Sequence, residues 1–150
     1  MSNPVITVES PDITRLKKVF EELQYTDKRK IIINSLNRAV VPVVRQAKAN
    51  VNVRTGNLQR SVGQIVNRKD LTVSVGARKR NGHKGYHGLL VEKGTVARQY
   101  VTKKGNIHKT GKMPALNWLR KATESKGTEA NRIVIEEWRK GIDKVLKKYR

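Results

Sequence analysis

The spacing of apolar residues changes once in the first half of the chain, at Gly56, and that change commits the fold to a mixture of helix and sheet. Before Gly56, Ile32, Leu36, Ala39, Val43 and Ala47 recur at helical spacing, and Ile33, Val40, Val44 and Val51 widen the stripe. Thr26 is a candidate cap for this long helix. After Gly56, Leu71, Val73, Val75 and Ala77 alternate with Thr72, Ser74 and Gly76, the period of a half-buried strand. Residues 58–66 read as its hairpin partner, joined through the turn-forming "NRKD" at 67–70. A third strand is expected at 86–92, "YHGLLVE", apolar on both faces. Pro42 falls inside the helical stripe. It cannot donate to the carbonyl of Arg38, so a kink near Arg38 or two abutting helices is expected.

The flanks are helical. Ser10 or Asp12 can cap a short amphipathic helix carrying Ile13, Leu16, Val19, Phe20 and Leu23. Near the other end, Pro114 is read as opening a helix with Ala115, Leu119 and Ala122 on one side and Trp118 near. Gly127 stops it as a left-handed cap, and Thr128 caps the last helix. In that last helix Val134, Trp138, Gly141, Val145 and Tyr149 share a face, which predicts a largely buried Trp138. The expected fold is therefore α+β: a small antiparallel sheet of about three to four strands, packed by the long helix of the N-terminal half, with C-terminal helices. A length of 150 residues suits a single domain, 1–150.

Charge bears on partners. The chain holds 33 Lys and Arg against 12 Asp and Glu, a formal net charge of +21, which favours nucleic acid or another acidic surface. Two Gly-punctuated loops, 78–85 and 93–112, are read as flexible and carry much of it. From Arg78 to Lys112 there are ten cations, Arg78, Lys79, Arg80, Lys84, Lys93, Arg98, Lys103, Lys104, Lys109 and Lys112, and a single acid, Glu92. A charge run of this kind is usually a solvated face, but like charges so gathered repel, so a partner that relieves them is weighed evenly against it. Within the second loop, residues 99–101 and 106–108 read as the arms of a hairpin. No cysteine is present, which excludes disulfides and thiolate metal sites. No apolar run approaches a membrane span and the N-terminus lacks the order of a signal peptide, so synthesis in the cytoplasm and no membrane partner are expected.

Catalytic chemistry finds little support. His83, His87 and His108 have no acid at a spacing that would orient a general base, and Ser61 and Thr55 have no local base. "TGNLQRSVG" has glycines, but it runs helix to strand, opposite to the order that aims amides at a phosphate. No enzyme, metal or cofactor is expected. Tyr86 and Tyr100 could stack on bases, yet two Trp, four Tyr and one Phe are too few aromatics to suggest base reading, and phosphate-backbone contact to double-stranded DNA is the favoured form. Gly56 is expected at positive φ, ending the long helix, with Thr55 and Asn57 satisfying the open backbone groups. Glu92 needs a partner: Arg60, Arg98 or a group across a subunit boundary.

The order "AKANVNVRTGNLQRSV", "VSVGA", "HGLLVEKGT" and "GKMPALNWLRKA" resembles the tailed-bacteriophage neck family, the head-tail joining, minor tail or tail-completion proteins. The resemblance spans about residues 13–125 and rests on Lys48 with Thr55, Gly56 and Leu58, on Glu92 to Thr95, and on Pro114. It implies a non-enzymatic structural virion protein that assembles into a ring, a hexamer or dodecamer, at the head-tail junction, against adjacent neck or tail-terminator rings. Thr55, Gly56, Glu92, Gly94, Thr95 and Pro114 would set its turns. Arg78, Lys79, Arg80, Lys84, Arg98, Lys103, Lys104, Lys109 and Lys112 would meet DNA or an acidic neighbour. The competing expectation is a free basic nucleic-acid-binding protein that contacts the phosphate backbone.

Overall fold

The structure, a computed structural model, describes residues 11–148. Ser10, the side chains of Asp12, Ile13 and Leu16, and Tyr149 lie outside the described residues. The chain is α+β. Helices α1 (Pro11–Glu22), α2 (Tyr25–Ala39), α3 (Val41–Asn50) and α4 (Asn57–Ser61) precede β1 (Val62–Asn67) and β2 (Thr72–Ala77). Helix α5 (Gly88–Lys93), strands β3 (Arg98–Val101) and β4 (Ile107–Thr110), and the long α6 (Trp118–Lys148) follow.

Pro42 divides the long apolar stripe into two abutting helices, as its missing N–H requires. Helix α2 ends at Ala39, and Pro42 falls in the first turn of α3, where no donor is missed. Both halves keep their apolar face inward, with Ile31, Ala39, Val43 and Ala47 buried. They pack against α6, and Gly141 lets α6 lie tight on Ile31 of α2: a Cβ at Gly141 would lie 3.0 Å from Ile31 Cγ1.

The core joins Val43, Ala47 and Val51 to Val62 of β1 and to Trp118 and Ala122 of α6. Trp118 is only 2% exposed, and its indole N–H donates to the Gly88 carbonyl (3.3 Å). Trp138, expected to be largely buried against the sheet or the long helix, is half-buried and stacks on Phe20 of α1, ring centroids 5.7 Å apart. On α6, Glu137 pairs with Lys140 (2.9 Å) and with Arg38 of α2 (2.6 Å). The Lys140 hydrogen bond first, and Arg38 with it, holds the Glu137 carboxyl below its ordinary value.

Several expectations change, among them Thr26 as the cap of α2, which begins at Tyr25 after Gln24 with no side-chain cap. The sheet is two separate antiparallel pairs, β1 with β2 and β3 with β4. Residues 57–61 form a helical turn before the strand starts at Val62. Segment 86–92 is not a third strand: residues 88–93 are α5. An apolar run this short has no period that separates strand from helix. What decides is Gly88, where a Cβ would lie 2.4 Å from the Ala77 Cβ, so only glycine lets the helix sit on β2. Pro114 opens no helix and Gly127 stops none. Helix α6 starts at Trp118 and runs 31 residues, with Gly127 buried inside it. A mid-helix glycine costs about 1 kcal/mol. Packing against α2 and α3 outweighs that, and the Lys126–Glu129 pair (2.9 Å) spans the glycine.

Candidate functional site: a basic cleft and an exposed ribbon

Gly56 adopts φ 72°, the left-handed conformation expected of it, but it begins α4 rather than ending α3. The Arg60 amide donates to the Gly56 carbonyl (2.9 Å), and the Arg60 guanidinium returns to the Thr55 carbonyl (3.2 Å) and Asn57 Oδ1 (2.9 Å). The Gln59 side-chain amide donates to the Lys48 carbonyl (3.1 Å), fixing α4 against α3. The turn therefore holds Arg54, Thr55 and Asn57 in place beside the first basic loop.

That loop is itself hydrogen-bonded. Asn81 (φ 56°) and Gly82 (φ 78°) take successive left-handed conformations, and the His83 amide donates to the Arg80 carbonyl (3.2 Å), a tight turn of the kind Asn-Gly favours. Below it the Gly85 amide donates to the Arg78 carbonyl (3.0 Å). Arg78 differs from the other loop cations. Its amide (2.9 Å) and Nε (3.2 Å) both donate to the Ser61 carbonyl, and its guanidinium lies so close over Gly63 that a Cβ there would stand 2.6 Å from Cζ. Between this loop and the Arg54 turn lies a cleft of about 840 Å³, whose walls include Arg54, Lys79, His83, Lys84, Tyr86 and His87 and no acid. Arg54 is the cation that sequence reasoning passed over, and its place directly before Thr55-Gly56 was the available signal.

The second loop is a ribbon. Its stem is the Thr95–Met113 bridge, in which the Thr95 amide donates to the Met113 carbonyl (2.8 Å) and the Met113 amide to the Thr95 carbonyl (3.1 Å). The register pairs Arg98 with Thr110, Gln99 with Lys109, Tyr100 with His108 and Val101 with Ile107, confirming the hairpin arms expected from sequence. Gly105, φ 80°, closes the tip beside Lys103 and Lys104. Every strand residue is exposed, on both faces, and Val96, Val101 and Ile107 show about two thirds or more of their surface. Tyr100 stacks on His108 at 5.1 Å.

Glu92 pairs with neither Arg60 nor Arg98. Its carboxylate accepts from the Leu119 amide (2.9 Å) and the Arg120 amide (3.1 Å), capping α6, whose first-turn donors and dipole favour a negative charge. The backbone follows the same path: the Leu116 amide donates to the Val91 carbonyl (3.0 Å) and the Asn117 amide to the Glu92 carbonyl (3.1 Å). Gly94, φ 72°, lies where a Cβ would be 2.6 Å from the Met113 carbonyl oxygen. Pro114 is exposed in the extended segment that leads into α6. Lys79, Arg80, Lys84, Arg98, Lys103, Lys104, Lys109 and Lys112 are all exposed. Among the described residues, none of these cations has a carboxylate within ion-pair range. Nor does any cluster of His, Asp and Glu among the described residues suit a metal ion, and no described helix is long and apolar enough to cross a membrane.

A family model described as "Bacteriophage HK97-gp10, putative tail-component" matches residues 14–94, just over half of the chain. The chain belongs to this HK97-gp10-like family of phage tail components, structural proteins of the virion. The match takes in the elements from α1 to α5 and stops at Gly94, before the ribbon and α6. No curated protein and no solved structure gives a significant match.

Proposed function

We propose that the chain is a non-enzymatic subunit that closes with copies of itself into a ring at the head-tail junction, where it meets adjacent rings and the DNA that passes between head and tail. The ribbon carries this reading. A lone two-stranded hairpin is marginally stable in water, and strands of four residues exposed on both faces draw little support from their own chain. Such an element is well suited to being covered by a neighbour. A closed ring also requires two different patches on each subunit. The ribbon supplies one, and the exposed Leu89 and Leu90 of α5 are apolar candidates for the other.

Mass photometry and negative-stain imaging of the purified protein test the reading: closed rings of one copy number are expected. Particles that remain monomeric while binding duplex DNA tightly, with affinity falling steeply with salt, would instead favour a free nucleic-acid-binding protein.

A further inference from the structure

We infer that the cleft between the Arg54 turn and the Arg80–His83 turn is a seat for the phosphodiester backbone of DNA, distinct from the ribbon. The inference rests on the proposed position beside the DNA, and it deepens that reading by assigning the contact to one site.

Three observations carry it. The first is charge. Arg54, Lys79 and Lys84 converge on one concavity from two segments far apart in sequence, no acid lines it, and all three are exposed without a carboxylate in range among the described residues. Three cations held together without a counter-charge repel one another, so an anion entering the cleft relieves a standing cost. The second is preorganisation. One wall, the Arg80–His83 turn, is closed by a backbone hydrogen bond and set by left-handed Asn81 and Gly82; the other is set by left-handed Gly56 and tied by the Arg60 guanidinium to the Thr55 carbonyl, so both backbones are already shaped before binding.

The third is the kind of group on offer. Arg54 can meet two phosphate oxygens through its guanidinium fork, and the two lysines can meet others as point charges. Beside them His83 and His87 add ring nitrogens, and Tyr86, 61% exposed, offers a flat face to a sugar or base. The donors on the cleft carry no pattern that would select one base over another, so the contact is indifferent to sequence.

Fluorescence anisotropy of the full-length protein with a short labelled DNA duplex tests this. The triple variant Arg54→Gln, Lys79→Gln, Lys84→Gln is compared with a charge-matched one, Lys121→Gln, Lys144→Gln, Lys147→Gln, on the exposed face of α6. Both lose three charges, so long-range attraction falls equally. The cleft variant should bind at least about tenfold more weakly than the matched variant, as expected when charge-assisted hydrogen bonds are lost. Its slope of log affinity against log salt should shrink by about 0.9 for each phosphate contact removed. Unchanged thermal unfolding establishes that both variants fold. Equal weakening in the two variants would mean that binding is diffuse and would overturn the seat. So would a cleft variant that keeps DNA but loses polyglutamate, since the occupant is then an acidic protein. Absence of DNA binding by the unaltered chain also overturns it. Rings imaged in the same preparations report separately on the assembly reading.

Discussion

Two positions, Glu92 and Gly94, hold the junction between the ribbon and the body, one by its carboxylate and the other by lacking a Cβ, and each gives a test. Glu92 caps α6 from a different element, so Glu92→Ala should lower unfolding free energy by about 1–2 kcal/mol in urea titration, while Glu92→Gln, which keeps one acceptor, should lose less. If the two variants lose equally, packing rather than capping is the residue's contribution. Gly94 and Gly105 both take positive φ, 72° and 80°, but a Cβ at Gly105 meets nothing within 4 Å, whereas at Gly94 it meets the Met113 carbonyl oxygen at 2.6 Å. Backbone strain alone should make Gly105→Ala cost about 1 kcal/mol. Gly94→Ala should cost clearly more, read as a difference in unfolding midpoint, because the stem itself must move. Sequence singled out Glu92 correctly as an acid needing a partner, but nearby arginines hid the answer. The groups it serves are main-chain amides, invisible in a list of side chains. Arg78 was obscured likewise, since its environment is the bare backbone of Gly63.

At the scale of elements, what could be read from sequence was whatever local periodicity or a single residue dictates. The break at Pro42 follows from a missing donor. The turn after β1 follows from Asn67, whose Oδ1 accepts from the Lys69 amide (3.0 Å) and the Asp70 amide (3.3 Å). The ribbon follows from two short arms around Lys103-Lys104-Gly105. The parts that were misread are settled by contacts between distant segments: α5 exists because Gly88 fits against Ala77, and α6 passes through Gly127 because α2 and α3 cover it. The ribbon, by contrast, gives the body almost nothing. Replacing residues 98–110 by a short Gly-Ser link across the Thr95–Met113 stem should leave the thermal midpoint within a few degrees of the parent while abolishing rings in negative stain. A large fall in midpoint would mean that the ribbon packs on the body in a way its exposure does not suggest.

The whole molecule is dominated by its formal charge of +21. Self-repulsion on that scale opposes the compact state and is screened over about 10 Å at 0.1 M salt. Raising sodium chloride should therefore raise the unfolding temperature of the free protein in differential scanning fluorimetry, while weakening any hold on DNA; a midpoint indifferent to salt would show that the cations are spread widely enough not to interact. Glu92 has one more consequence at this scale. Helix α6, at about 1.5 Å rise per residue, reaches roughly 46 Å across the molecule. Its first turn is fastened to Glu92 of α5 by two carboxylate contacts, and the two residues just before it, Leu116 and Asn117, by two backbone bonds to α5, immediately beside the ribbon's stem. A pull on the ribbon would thus be shared among four bonds and passed into a single stiff rod, so the fastening at Glu92 would act as a tension joint between the ribbon, the proposed contact with a neighbour, and the far end of the subunit.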